Sequence, residues 1–286
     1  MRRLAAALLL FATTVWAGGP PMVVFLSDFG TRDDAVAICK GAMLQIEPGV
    51  RLIDLTHEVT PFSVADGARY LADTADYYPA NTIFLAVIDP GVGSDRKPMV
   101  ARSQRGQLFV LPDNGLVTLV ADRQGLTGAR EITNADWMRS GRRSSTFHGR
   151  DIFAPVAAHL AHGEDWTRVG PPIETPVRLD VRSATVDGDV LHGRVVAIDG
   201  PYGNLITDVP AALFTGLGYG IGDRVKIEIG SERLTLPFAR TFSDVAAGEA
   251  LLYVDSRARL GVAVNKGNFA TAHHVGVPTT ITVGRK

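Results

Sequence analysis

Between residues 22 and 88 the chain reads strand, helix, strand, helix, strand, and that alternation leaves few folds open to it. Met22 to Leu26 is a short β-rich apolar run, a buried strand by length and composition. Asp33 and Asp34 open a helix with apolar side chains at Val36, Cys39, Met43 and Ile46, and Pro48-Gly49 stops it. A second strand covers Arg51 to Leu55. Val64, Ala68, Leu71, Ala75 and Tyr78 then mark an amphipathic helix ending before Pro79, and Thr82 to Ile88 is a nearly all-apolar third strand. Elements in this order, joined by short turns, imply right-handed crossovers and a mostly parallel sheet with helices on both faces. Another helix is expected from Asp151 through Val156 and Leu160 to about His162.

The texture then changes. Val169-Gly170-Pro171-Pro172 through Pro176 breaks the pattern and reads as a linker. Beyond it come short alternating runs at Arg194–Ile198, Arg224–Ile229, Arg233–Leu236, Leu251–Val254, Leu260–Val264 and Thr279–Val283, separated by Gly, Asp and Asn. Runs of that kind predict a smaller antiparallel β domain, a barrel or a sandwich. The expected division is an N-terminal α/β domain over residues 20–180 and a C-terminal β domain over residues 188–286.

With 46% hydrophobic residues, 21% charged residues and a formal net charge of −1, the chain has no global field to draw nucleic acid or an anionic membrane. Neither is expected as a partner. The first residues differ from the rest: Arg2 and Arg3 precede an apolar run from Leu4 to Phe11, and Val15-Trp16-Ala17 offers small residues where a signal peptidase cuts. Residues 1–17 are therefore expected to be a secretory signal, the run being shorter than the roughly 20 residues of a membrane span. Export to a bacterial periplasm follows as the expected location, with no stable membrane anchor. Cys39 is the only cysteine, so no disulfide can form within the chain, and it falls on the apolar face of its helix.

Two stretches lie outside the apolar periodicity and carry chemistry-bearing side chains. One is Ile88-Asp89-Pro90-Gly91-Val92-Gly93, followed by Arg96; the other is Ser144-Ser145-Thr146-Phe147-His148-Gly149-Arg150-Asp151. Loops just beyond buried strands are where α/β proteins place their sites. Taken alone, each residue has an ordinary reading. Asp89 could cap its own turn, Arg96 could be solvated, and His148 could flank a helix and bond a carbonyl. His159 and His162, three apart on a helix, lack a third ligand at suitable local spacing, and His273-His274 is an isolated pair, so no metal site is expected. Neither a Gly-x-Ser-x-Gly elbow nor a phosphate-cradling loop is present.

Together with Ser27-Asp28-Phe29-Gly30-Thr31, Asp54-Leu55-Thr56-His57, Pro112-Asp113-Asn114-Gly115-Leu116, Asp199-Gly200-Pro201-Tyr202-Gly203-Asn204 and Val264-Asn265, these stretches resemble one family over nearly the whole chain. It is the S-adenosyl-L-methionine hydroxide adenosyltransferases, relatives of fluorinating and chlorinating enzymes that attack the same substrate. The resemblance implies an active triad of Asp89, Arg96 and His148. It implies a ribose contact at Asp28 and a contact to the methionine ammonium at Asp33. Asp199, Tyr202 and Asn204 match a methionine-end contact region, and Ser256 and Arg257 match another segment near the ligand. Asp28 and Asp33 also suit loop or N-cap acids, and Asn204 a turn former. Hydrolysis to adenosine and L-methionine is the implied reaction, with the small-molecule substrate and no cofactor, in a homotrimer whose subunits share the site.

Departures from the family pattern sharpen the expectation. Tyr202 stands where relatives often carry Phe, and Asp255-Ser256-Arg257 looks more like the halogenating relatives. Asp89 occupies a position where the halogenating enzymes have a tyrosine, Gly149 replaces a serine that helps hold fluoride, and the fluorinating branch's loop insertion is absent. Those points favour water over halide as the nucleophile. The alternatives are a chlorinase-like halogenase and a non-catalytic periplasmic binding protein for adenosyl compounds.

Overall fold

The computed structural model describes residues 21–181 and 183–286, so the expected signal segment, residues 1–17, lies outside the described residues. Two compact units emerge from the internal contacts. One runs up to Gly67 and resumes over Thr74–Val177; the other comprises Ala68–Asp73 and Arg178–Lys286.

Up to residue 177 the order is β1 (Met22–Ser27), α1 (Ala35–Ile46), β2 (Arg51–Thr56), α2 (Val64–Ala75, of which Ala68–Asp73 group with the second unit), β3 (Ile83–Val87), β4 (Pro98–Ser103), β5 (Leu108–Pro112), α3 (Thr118–Gln124), β6 (Leu126–Glu131) and α4 (Ala154–His162). The six-stranded sheet of the first unit is ordered β2-β1-β3-β5-β4-β6. Strands β2, β1, β3 and β5 run parallel, and β4 is antiparallel to both its neighbours. The chain moves to one side of β1 to make β2 and to the other to make β3, so strand order reverses between β1 and β3. Ligands of open α/β sheets bind beyond the carboxyl ends of strands at such a reversal. Asp28 follows β1 there, and Asp89 follows β3.

Both faces of this sheet are covered, which is why β1 and β3 are apolar on successive residues rather than alternately. Val23, Phe25, Leu85 and Val87 pack with Cys39 and Met43 of α1 and with Val156 and Leu160 of α4. On the opposite face Gly67 of α2 lies so close to Ile88 and Leu116 that an added Cβ would come within 2.8 Å of the Ile88 side chain. Ser63 caps α2 by accepting the Asp66 amide at 3.2 Å. That helix stops at Ala75, short of Tyr78, because the Tyr77 and Tyr78 amides bond three residues back, to Thr74 and Ala75. Cys39 is fully buried, and burial pushes its thiol up to about 12, which leaves it protonated and unreactive.

The second unit contains β7 (Thr185–Asp187), β8 (Val190–Asp199), β9 (Asn204–Pro210), α5 (Ala211–Thr215), β10 (Arg224–Ile229), β11 (Glu232–Pro237), β12 (Ala250–Val254), β13 (Arg259–Val264), α6 (Phe269–Ala272) and β14 (Thr279–Gly284). The sheet is antiparallel, ordered β11-β10-β14-β8-β9-β13-β12, with β7 on β8. Its end strands approach each other through the Phe238–Leu252 bridge, and the Ala239 amide donates to the Leu252 carbonyl at 2.9 Å. The result is a nearly closed barrel around Val195, Leu205, Phe214, Phe238, Leu252 and Ile281.

Residues 169–176 are more ordered than a linker. The Glu131 amide donates to the Pro171 carbonyl at 2.9 Å, and the Ile173 amide donates to the Ala129 carbonyl at 2.8 Å, so this segment lies along β6. Proline has no N–H to give, and an edge position asks it only to accept. Among the described residues, no helix is long and apolar enough to cross a membrane.

Candidate active site

Beyond β3 the chain turns on itself: the Val92 amide donates to the Asp89 carbonyl at 3.1 Å and the Ser94 amide to the Gly91 carbonyl at 3.1 Å. This turn brings Arg96 back over Asp89. Arg96 Nε donates to Asp89 Oδ1 at 2.7 Å, and Arg96 Nη2 donates to Asp89 Oδ2, a two-pronged pair. The carboxylate and guanidinium are only 6% and 9% exposed, so water screens them weakly. Asn114 steadies the strand end by donating to the Ile88 carbonyl at 2.9 Å. The Phe153 ring lies 5.2 Å from the guanidinium carbon.

His148 closes the arrangement. Arg96 Nη2 sits 2.9 Å from His148 Nδ1. A guanidinium can only donate, so Nδ1 accepts and the neutral ring carries its hydrogen on Nε2. Burial and then the nearby Arg96 charge lower the His148 pKa, with Asp89 and Asp151 pulling the other way. The ring is thereby held neutral. Arg96 Nη1 is buried and has no partner, which leaves one strong donor unused.

Asp151 holds the loop that carries His148. Fully buried, its carboxylate accepts from Arg150 Nε at 2.6 Å, Arg150 Nη2 at 2.9 Å, the Ser144 amide at 2.7 Å and Arg139 Nη1 at 3.4 Å. The expected helix start at Asp151 is instead a single π-helical turn, Gly149–Phe153, leading into α4. Phe29, just after Asp28, packs edge-on against Phe147 with centroids 5.9 Å apart. A Cβ on Gly149 would come within 3.0 Å of Phe29 Cζ.

Gly93 joins the two halves of this site. Its φ is +80°, and a Cβ there would lie 2.5 Å from the Ser145 carbonyl oxygen. Gly93→Ala is expected to cost about 1–3 kcal/mol through backbone strain and to push the Asp89–Arg96 turn away from the His148 loop. Thermal unfolding and kcat should both fall; unchanged values would show that the close approach does not matter.

The ordinary readings of the three residues thus give way. Asp89 binds Arg96 rather than capping its turn, Arg96 is buried rather than solvated, and His148 meets a guanidinium rather than a carbonyl. Of the other expected contacts, Asp28 is half-buried and its Oδ2 accepts the Phe62 amide at 2.9 Å. Asp33 is exposed and accepts the Ala35 amide at 3.1 Å, a local helix-start role. In the second unit Asn204 donates to Asp199 at 3.3 Å across the β8–β9 hairpin, and Tyr202 stands 65% exposed in its turn. Ser256 and Arg257 are exposed in the β12–β13 turn, where Arg257 Nε lies 3.3 Å from Asp73. Since β13 pairs antiparallel with β9, Leu205 opposing Val262 and Pro210 opposing Arg259, those two contact regions lie at opposite ends of the strand pair. About 16 Å of strand separates them, so within one chain they do not meet.

Sequence reasoning passed over Asp151 and Asn114, although both stand inside the quoted motifs. His159 stacks on Trp137 at 5.4 Å, whereas His162 bonds Glu47 at 2.7 Å, so the two histidines serve separate packing roles.

The model of the SAM hydroxide adenosyltransferase N-terminal domain matches residues 23–170, and that of the corresponding C-terminal domain matches residues 193–282. The chain is 41% identical to the (R)-S-adenosyl-L-methionine hydrolase of Salinispora tropica, over 87% of this chain and 92% of that protein. It is 32% identical to a fluorinase of an Actinoplanes species, over 93% and 98%. Among solved structures, an uncharacterized conserved protein from Thermotoga maritima superposes with a TM-score of 0.88 at 38% identity, covering 92% of this chain and 100% of that one. With both domain models matched in order along one chain, this protein belongs to the SAM hydroxide adenosyltransferase family.

Proposed function

We propose that this chain hydrolyses S-adenosyl-L-methionine to adenosine and L-methionine, with Asp89, Arg96 and His148 acting on the attacking water. Support comes from relatives named for that hydrolysis, at 37% to 41% identity over most of the chain. The observation that carries the mechanism is the buried, unpartnered Arg96 Nη1 beside a neutral His148.

The sulfonium makes departure easy. As water oxygen bonds C5′, the C5′–S pair withdraws onto sulfur and methionine leaves as a neutral thioether, needing no general acid. The demand falls on the nucleophile, because bulk water has a pKa of about 15.7. Arg96 Nη1 offers a hydrogen bond to hydroxide-like oxygen, and His148 Nδ1 is the acceptor for the proton that leaves, exchanging its bond from Arg96 Nη2 for that proton as the O–H bond breaks. Asp89 fixes the guanidinium from behind, and the remaining acceleration comes from in-line positioning at C5′. Asp28 then serves the ribose hydroxyls, as a carboxylate suits a vicinal diol.

Charge separates water from halide. Asp89 neutralises Arg96 with both carboxylate oxygens, and His148 is held neutral, so these three side chains together carry no surplus positive charge to retain a free anion. Reaction in ¹⁸O-water is expected to label the 5′-hydroxyl of adenosine, and added chloride or fluoride should yield no 5′-halo nucleoside. A halogenated product would move the chain to the halogenating branch. Binding without any product would favour an adenosyl-binding protein.

A further inference from the structure

We infer that His57 is a positioning residue for substrate binding, setting the Asp28 carboxylate through a hydrogen-bonded chain that runs from buried Ser27 out to Asp54 and Lys40 at the surface. This rests on the reading of Asp28 as the ribose contact. His57 Nδ1 lies 2.8 Å from Ser27 Oγ, His57 Nε2 lies 3.0 Å from Asp54 Oδ1, and Lys40 Nζ donates to Asp54 Oδ2 at 2.7 Å. Burial by itself would raise the Asp54 pKa, but the bonds from Lys40 and His57 outweigh it and hold the carboxyl below its usual range. An ionised carboxylate only accepts, so Nε2 carries the hydrogen, and in the neutral ring Nδ1 accepts a hydrogen bond from the Ser27 hydroxyl. Ser27 Oγ is then free to accept the Phe29 amide, at 3.4 Å.

Serine, histidine and aspartate in this order look like a nucleophilic triad, yet Ser27 has no exposed surface and His57 is only 4% exposed. A hydroxyl that no substrate can reach does not attack one. What the chain does touch is the turn after β1. The Gly30 amide donates to the His57 carbonyl at 2.7 Å, Thr31 Oγ1 donates to Glu58 at 2.9 Å, and the Phe62 amide donates to Asp28 Oδ2 at 2.9 Å. With the Val59 amide donating to the Ser27 carbonyl at 3.4 Å, five ties fasten residues 27–31 to residues 57–62, and the His57 side chain supplies the buried one, to Ser27. One carboxylate oxygen of Asp28 is occupied by Phe62, which leaves the other to be aimed, and the same turn carries Phe29 against Phe147. A rigid support under a binding carboxylate limits the ordering cost when ligand arrives.

The test uses adenosine binding by calorimetry, with kcat and KM for S-adenosyl-L-methionine measured alongside. Ser27→Ala and His57→Ala should each weaken adenosine binding about tenfold and raise KM similarly, with kcat within about threefold of wild type. His57 also packs edge-on against Phe25, at 4.7 Å, so His57→Ala can lose stability; Ser27→Ala removes one oxygen only and keeps the test readable. His57→Asn places an amide oxygen where Nδ1 stands and should restore affinity to within about threefold. His57→Gln reaches Asp54 instead, loses the Ser27 bond and should behave like His57→Ala. Wild-type affinity in Ser27→Ala and His57→Ala, or equal weakening in Asn and Gln that follows melting temperature, overturns the inference alone. A wild-type protein that binds no adenosine overturns the reading of Asp28 as well.

Discussion

Arg96→Ala is expected to lower kcat by about 10²- to 10³-fold, the usual cost of removing a donor aimed at developing negative charge. Adenosine affinity should remain close to wild type, because in the proposed mechanism the guanidinium serves the nucleophile and not the ribose. Arg96→Lys tests whether charge alone suffices. An ammonium keeps the cation but cannot hold both Asp89 oxygens, reach His148 Nδ1 and still present a spare donor. Lysine should therefore recover little of the lost turnover. Asp28→Ala should show the opposite split, with KM rising far more than kcat falls. Removing Arg96 also leaves Asp89 nearly buried without a partner, so melting temperature must be measured beside the kinetics. Near wild-type kcat in a folded Arg96→Ala protein would remove Arg96 from the mechanism.

Parts of the fold were legible because burial leaves a simple trace. Strands β1 and β3 lie between helical layers, so nearly every residue is apolar and the run is visible. By contrast β4 begins at Pro98 and carries Arg102, β5 ends at Pro112, and β9 holds Asn204, Thr207, Asp208 and Pro210. The prolines, Asn204 and Asp208 look like turn formers, and Arg102 and Thr207 interrupt the apolar run, until a neighbouring strand is known. Thr207 shows how a neighbouring strand admits a polar side chain to the core: it is fully buried, and its hydroxyl donates to the Leu260 carbonyl at 2.6 Å.

The triad was less legible from spacing. Asp89 and Arg96 are seven residues apart and His148 lies 52 beyond Arg96, separations with no helical or strand period to join them. Family motifs named them, and the sheet's strand order explains why the turn after β3 carries two of them, Asp89 and Arg96. The Ser27–His57 bond spans 30 residues and arises only because β2 pairs with β1, with Leu26 opposite Thr56. Nothing local in Asp54-Leu55-Thr56-His57 announces that pairing, so the motif was visible while its work was not.

Turnover is expected to stay level through neutral pH and to fall only in acid, below the range where an ordinary histidine titrates. In the proposed mechanism the competent ring is neutral: Nδ1 accepts from Arg96 in the resting site and exchanges that bond for the water proton in the reaction. A proton placed on Nδ1 sets two donors and two positive charges 2.9 Å apart. That arrangement disfavours the protonated form, and burial disfavours it more, so the pKa is lowered. A lowered pKa moves the acid limb to lower pH, and through that limb kcat should drop about tenfold per pH unit. His148→Gln has no ring to titrate; its kcat should be low and level over the same range. The comparison needs kcat against pH for both proteins, checked for folding in acid. An acid limb of equal slope and position in His148→Gln would assign it to another group and leave His148 without its place in proton transfer.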